Sequence, residues 1–471
     1  MKRFTLRNTL FVALLAACSV THRAEAQVTT ETQGTSDYNN PDREVYMRPS
    51  YWRPYDQRGI NVFETTKDRD SIPFLGPRLR FGAGFTQQFQ DLEHENPDAL
   101  NNATSNRLYP ISAGFMTAQA NLFLDAELSE GIRLNVTTYL SSRHHNEAWV
   151  KGGYIQFDRL PFRGQFWDNL MDLVTVKVGH MEINYGDQHF RRSDGGHTLY
   201  NPFMENYIVD AFATEIGGEV YVQKAGLMGM VGVSNGMIRG NVDYVQPSVN
   251  PTTGDVIDAN TSRNPSIYLK LAADHHISDR IRARLAGSYY HNNSSAGSGL
   301  TLYGGDRAGS NYHNVMERAP VGATLPSSTA LYTSGRLNPG FSKKIHAFQV
   351  NGFLKAYGFE FFGTYETANG RTKTETAKRD MNQWAADLIF RFGPREQVYI
   401  GGRYNGVNAE LSGIANEVKV SRVAAAAGWF LTRNILLKGE YVQQEYEDFP
   451  TTDFRAGGKF NGIVIEAVVG F

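Results

Sequence analysis

Four groups of residues in this chain are of types that do chemistry. His144-His145 and His275-His276 are adjacent histidines, and histidine is the commonest metal ligand. Asp255 and Asp258 put two carboxylates in one polar stretch, and Ser288 with His291 offers a hydroxyl near a base. None reaches a working constellation. Neighbours on a strand point to opposite faces, so neither histidine pair can chelate one ion. Two carboxylates are too few for a calcium loop. The serine–histidine spacing fits no nucleophile motif, and no HExxH, GxSxG or phosphate-binding glycine loop occurs. One cysteine, Cys18, rules out a disulfide framework and any CxxC site. The sequence therefore points away from an enzyme, a metal protein or a cofactor carrier. Charge is what it has in quantity: 47 Lys+Arg against 48 Asp+Glu among 471 residues. That balance lacks the basic excess a nucleic-acid binder needs.

The elements that would position this charge obey one rule. From Leu79 onward, runs of roughly ten to fourteen residues alternate apolar with polar or small residues, the period of a strand with two different environments. Sixteen such runs can be counted: 79–89, 113–128, 132–144, 148–157, 173–183, 214–223, 227–237, 266–275, 280–290, 345–357, 359–367, 381–391, 396–407, 418–431, 435–446 and 460–471. In 281–289, Ile281, Ala283, Leu285 and Tyr289 share one face, and Arg282, Arg284 and Ser288 the other. In 463–471, Ile463, Ile465, Ala467, Val469 and Phe471 oppose Val464, Glu466, Val468 and Gly470.

The connections alternate in length. Ser129-Glu130-Gly131, Lys224-Ala225-Gly226, Ile277-Ser278-Asp279, Gly393-Pro394-Arg395 and Thr432-Arg433-Asn434 are tight turns. Long polar excursions cover 90–112, 184–213, 238–265, 291–344, 368–380, 408–417 and 447–459. Two connections depart from the rule: 145–147 is short, and 158–172 is longer than a turn and could hold a helical turn. Loop 291–344, rich in Gly, Ser and Asn, suits a surface loop. No run of eighteen apolar residues exists, so no helix spans a membrane. Short turns at one rim and long loops at the other predict an all-β fold: a 16-stranded antiparallel transmembrane β-barrel over 78–471, behind an N-terminal extension. A soluble sandwich or propeller would alternate too, but would not explain two classes of connection. Closure is a physical necessity, because an unpaired N–H or C=O in lipid costs several kcal/mol. Outer-face aromatics near strand ends predict interfacial girdles: Phe81, Phe89, Trp149, Tyr365, Trp384, Trp429, Tyr441 and Phe471.

Residues 1–26 read as a secretory signal. Lys2, Arg3 and Arg7 precede the apolar stretch Thr9 to Ala17, and Ala24-Glu25-Ala26 supplies a small-x-small cleavage site. Leu15-Ala16-Ala17-Cys18 offers a competing reading as a lipidation site. Residues 27–77 begin polar and then become rich in aromatic, Arg and Pro residues, as in Tyr46 to Tyr55. They suit a periplasmic arm or a plug.

Register assigns the water-facing charges. The basic set is Arg80, Arg133, Lys177, Lys270, Arg282, Arg284, Lys355, Arg403, Arg422 and Lys438; the acidic set is Glu219, Glu360, Glu366, Asp387, Glu440 and Glu466. This wall predicts a mild anion preference, with many charges paired across strands and Glu466 expected to meet Arg80. Inward glycines, among them Gly82, Gly84, Gly152, Gly401 and Gly428, would leave room in the lumen or relieve curvature.

The terminal sequence Glu466-Ala467-Val468-Val469-Gly470-Phe471 resembles the C-terminal assembly signal of Gram-negative outer-membrane barrels. With the sixteen runs, it looks like the general and phosphate-selective porin families. The closest local likeness runs from Tyr154-Ile155-Gln156-Phe157, through Val174, Lys177, Val178, Gly179 and His180, to Gly217-Gly218-Glu219-Val220-Tyr221 and Val231-Gly232-Val233-Ser234-Asn235-Gly236. The resemblance implies outer-membrane lipid, the barrel assembly machinery and a second and third copy of the chain as partners. It implies small hydrophilic solutes or ions as cargo. It also implies that the loop after the fifth strand, 184–213, folds inward as a constriction carrying His189, Arg191, Arg192, Asp194, His197, Glu205 and Asp210. That loop lacks the dense lysine cluster of phosphate selectivity. The runner-up is a non-conducting barrel, an adhesin or structural anchor plugged by 27–77.

Overall fold

The structure is a computed structural model. It describes residues 52–65, 67, 74–141, 147–162, 164–236, 242–243, 248–249, 251–254, 256–257, 262–293, 302–306, 308–321, 333–372 and 374–471. The expected signal, Cys18, His144-His145, Asp255 and Asp258 lie outside these residues.

Sixteen long strands form: β1 (Arg78–Glu95), β2 (Gln119–Ser129), β3 (Ile132–Leu140), β4 (Trp149–Phe157), β5 (Val174–Glu182), β6 (Thr214–Lys224), β7 (Leu227–Ser234), β8 (Ser266–Ser278), β9 (Ile281–Asn292), β10 (Lys344–Ala356), β11 (Phe359–Arg371), β12 (Arg379–Phe392), β13 (Val398–Glu410), β14 (Glu417–Thr432), β15 (Ile435–Glu447) and β16 (Lys459–Gly470). Each pairs antiparallel with its chain neighbours, and β1 also pairs with β16, from Gly84↔Gly470 to Glu95↔Lys459. The sheet is closed. Phe471 completes the seam, exchanging backbone hydrogen bonds with Ala83 of 2.8 and 3.0 Å. The run expected over 113–128 is broken, because Gly114–Phe115 pairs high on β1 while the main strand starts at Gln119. The long β4–β5 connection does hold a helix, Gln165–Met171.

The period-two faces sort as lipid and water would demand. On β8, Ile267, Leu269 and Leu271 are exposed while Tyr268, Lys270 and Ala272 are buried. On β9, Leu285 points out and Arg284 in. Phe81, Trp149, Tyr365, Trp384, Trp429, Tyr441 and Phe471 all stand on the outer surface.

The interior departs from an open tube. Residues 52–65, the β5–β6 connection 183–213 and much of the described part of 302–341 lie inside, while Arg318, Val321, Thr333 and Asn338 are exposed. Leu302, Tyr303, Tyr312, Val315, Leu337 and Phe341 are each no more than 2% exposed. The surface loop expected over 291–344 is therefore corrected for these parts. Their aromatic and aliphatic residues find more burial in the lumen than the Gly/Ser/Asn stretch before them suggests.

The seam has one backbone-critical position. Gly462 has φ 149°, and a Cβ there would sit 2.1 Å from the Asp91 carbonyl oxygen on β1. Gly462→Val should destabilise the barrel by about 1–3 kcal/mol, read as a lower temperature at which the folded electrophoretic band converts to the unfolded one. An unchanged transition would show that the seam tolerates the displacement.

Candidate functional site

The site is the lumen, and it is built by the wall satisfying an irregular loop. Segment 183–213 has one short 3-10 turn, Gln188–Phe190, and little ladder of its own. Buried backbone groups must be paired, so wall side chains reach in to do it. Asn351 Oδ1 accepts from Asp187 N at 2.8 Å, Gln383 Oε1 from Val209 N at 2.9 Å and Asn405 Oδ1 from Ile208 N at 2.7 Å. Glu440 accepts from Met204 N at 2.9 Å. Lys438 Nζ donates to the carbonyls of Thr198, Asn201 and Phe203. Arg403 and Arg422 donate to the carbonyls of Glu205 and Asn206 at 2.8 and 2.7 Å.

Charge pairs then knit loop to wall. Arg191 reaches across to Glu360 on β11 at 2.6 Å, and Arg391 on β12 holds the same carboxylate at 2.9 Å. Arg192 pairs with Asp210 within the loop. Glu205 takes Arg336 at 2.9 Å, and Ser310 and Asn311 also donate to it. Asp194 pairs with Lys151 on β4, which also meets Asp306 at 3.2 Å. Glu466 meets Lys438 at 2.8 Å rather than Arg80. The register places Gln88 opposite Glu466 across the seam and Asp125 on β2 opposite Arg80, so that expected pair is corrected.

Residues 52–65 enter from the short-turn rim. Gln57 N and Nε2 donate to the carbonyls of Arg433 and Arg395, in two tight turns. Asn61 joins Arg191 and Glu360. Glu64 pairs with Arg284 at 2.7 Å and Lys270 at 2.9 Å. Burial alone would raise its carboxyl, but Lys270 and Arg284 hold it well below the usual carboxylate range. Two inward glycines seat these insertions. A Cβ on Gly82 would meet the Tyr55 ring at 2.4 Å, and one on Gly84 the His197 ring at 2.8 Å. Their space goes to protein rather than to solute.

Among the described residues, three hollows stand out. A cavity of about 270 Å³ lies against β3–β6, lined by Arg133, Lys177, Lys151, His189, Asp194 and, from the segment, Arg53 and Glu64. A hollow of about 10 Å³, room for one water, lies among Arg191, Arg192, Asp210 and Arg403. A third of about 890 Å³ opens at the short-turn mouth, beside Arg282 and Lys355. The named constriction residues thus divide. Arg191, Arg192 and Asp210 surround the smallest hollow, His189 and Asp194 line the first cavity, and Glu205 sits against the 302–341 insertion. Of the named wall residues, Lys270, Arg284, Arg403 and Arg422 are sequestered beneath the insertions. Arg133, Lys177, Arg282 and Lys355 face hollows, and Arg80 lies 4.7 Å over the Tyr55 ring.

Sequence reasoning missed Lys151, Arg391 and Arg53. Lys151 faces inward because the β3–β4 register shifts between Thr137 and Thr138, an extra residue that alternation alone does not reveal. Arg391 keeps to the alternation of β12 and was open to the same register argument. The insertions also bring Glu64, Asp187, Asp194, Glu205, Asp210 and Asp306 into the lumen, so the ten-to-six excess on the wall does not set its charge. Among the described residues, no group of three or more metal-ligating side chains occurs.

No protein-family model and no curated protein matches this sequence. Solved structures that it resembles include an anion-selective porin from Comamonas acidovorans (TM-score 0.48, 8% identity, 84% of this chain and 100% of that one). Others are the outer-membrane channel DcaP of Acinetobacter baumannii (0.47, 10%, 84% and 98%) and the outer-membrane protein OmpT of Vibrio cholerae (0.46, 9%, 85% and 99%).

Glu360 should be the costliest charge to remove. Glu360→Gln leaves Arg191 and Arg391 buried without their countercharge, a loss of about 3–5 kcal/mol, measured as urea unfolding in detergent or lipid. A loss below 1 kcal/mol would show both guanidiniums finding other partners. A second effect is pH-dependent. Burial pushes the Glu317 carboxyl up to about 7, with Ser334 and Arg455 opposing. Its stabilising contribution is full in the ordinary carboxylate range and lost as pH rises through about 7. Amides near Glu317 and Ser334 should exchange hydrogen faster at pH 8 than at pH 5, after correction for intrinsic rates. Glu317→Gln should flatten that difference.

Proposed function

We propose that this protein is a channel in the outer membrane of a Gram-negative bacterium, passing small hydrophilic solutes and ions down their gradients. One observation carries the reading. A closed barrel with an apolar outside encloses charged, polar hollows beside the packed apolar residues of its insertions. A wall meant only as an anchor has no need to bury this many ionised groups, each expensive to desolvate. In this reading, loop 184–213 and residues 52–65 together form the constriction, and the first cavity is the open part of the path. Arg191 and Arg192 set the field across it, and Arg133 and Lys177 line it. Phe471 at the closing seam fits the assembly signal that the terminal pattern suggests.

The dense pairing within the lumen favours a second reading, a barrel held shut. Single-channel recording separates the two. The parent should show small, resolvable conductance steps, and deletion of 52–65 should raise them severalfold. Arg191→Ala with Arg192→Ala should shift the anion/cation permeability ratio. Silence from both the parent and the deletion would establish the closed barrel, and an unchanged ratio would remove those arginines from the path.

A further inference from the structure

We propose that the short-turn mouth of the lumen holds a binding site for a small multivalent anion, one with two or more phosphate or carboxylate groups. The third hollow, about 890 Å³, is lined by seven Arg and Lys residues against two carboxylates, Asp279 and Glu396. Four of the seven have countercharges. Arg58 meets Asp56 at 2.5 Å, Arg282 meets Asp274 at 2.6 Å, Lys355 meets Glu396 at 2.5 Å and Arg391 meets Glu360 at 2.9 Å. The other three, Arg280, Arg395 and Arg433, have no carboxylate partner among the described residues; Arg280 has only the Tyr357 ring, 5.7 Å away.

Two of these three, Arg395 and Arg433, are gathered by one clamp. Gln57 donates through its backbone N to the Arg433 carbonyl at 3.0 Å and through Nε2 to the Arg395 carbonyl at 3.1 Å, and Arg58 is the next residue in the chain. The guanidiniums of Arg395 and Arg433, with that of Arg58, are thereby carried on backbone held to a single residue. Like charges crowded into a concave mouth repel, and low-dielectric walls focus the field. A bound anion relieves the repulsion, and guanidinium forks match the two-oxygen edges of phosphate and carboxylate. One univalent ion would leave most of the excess unanswered, so valency is the expected selector. Lys355 and Arg391 lie on inward-facing positions of β10 and β12, so the ligand is a solute at the lumen mouth rather than a lipid headgroup. The site lies apart from the mid-lumen hollows, from which residues 52–65 divide it. Its use as an entry or exit step of transport rests on the channel reading.

The test is calorimetric titration of the full-length folded barrel in neutral detergent, with inorganic tripolyphosphate and with citrate. Saturable binding near one equivalent is expected, at least tenfold tighter than for chloride or acetate and weakening steeply with salt. Arg395→Gln with Arg433→Gln should lower affinity at least tenfold. Lys419→Gln, at the opposite rim, should change nothing. The absence of saturable heat, or equal binding by the double variant, would overturn the site. Short-chain phosphatidylglycerol binding where tripolyphosphate does not would overturn the assignment to a solute. A bilayer arm keeps the two readings apart. Tripolyphosphate should reduce current only from the short-turn side, whereas binding lost in the double variant of a silent barrel would leave the site standing and end the channel reading.

Discussion

The interior of this barrel depends on how an irregular backbone can lie inside a closed sheet. Segment 183–213 enters a space that the sheet has shielded on every side, and almost none of its peptide groups has a ladder partner. Each unpaired group would cost about 1–3 kcal/mol. The wall supplies what the loop cannot: Asn351, Gln383, Asn405 and Glu440 accept from its amides, and Lys438, Arg403 and Arg422 donate to its carbonyls. Inward positions that look like pore lining are therefore structural first. Their polarity is what allows a loop to exist there, and the loop is what narrows the tube.

The same constraint divides the charge. In mid-lumen, charges cancel almost pair by pair, between insertion and wall for Arg191 with Glu360, within the loop for Arg192 with Asp210, and along the wall for Arg403 with Asp387 and Lys438 with Glu466. These groups are buried beyond reach of salt screening, and Arg191 and Arg403 also spend donors on amide or backbone oxygens. Such pairs fix position more than they add stability. Toward the short-turn mouth the pairing thins and positive charge accumulates. The electrostatics of the lumen is set by what the pairing leaves over, not by the sum of the wall.

This is also why the sequence is legible in one respect and opaque in another. The strands can be read because lipid and water impose opposite demands on successive residues, so Leu269, Lys270 and Leu271 declare their faces without help. Closure can be read because an open edge in lipid is forbidden. The site cannot be read the same way. Whether Lys270 faces solute or is capped by Glu64 and Asp187 depends on contacts between residues far apart in the chain, and no period encodes them. Tyr303 and Tyr312 reach the lumen behind a stretch whose composition suggests a surface loop. Lys151 turns inward through one extra residue in β4. Alternation assigns a face but says nothing of what will come to occupy it.

Residues 52–65 answer several of these demands at once. Arg53, Tyr55 and Glu64 line the cavity against β3–β6, while Gln57, Arg58 and Asn61 line the mouth. The segment is thus the partition between them. Its two attachments differ in kind. Glu64, under Arg284 and Lys270, is buried in low dielectric, where added salt barely reaches. Gln57, on the carbonyls of Arg433 and Arg395, sits at the wet rim on neutral hydrogen bonds, each worth about 1 kcal/mol net. Any loosening should therefore begin at the rim and pivot on the buried pair. The space such a pivot would open lies beneath the cations of the mouth, of which Arg58 rides on the segment and the other six on the wall and its turns.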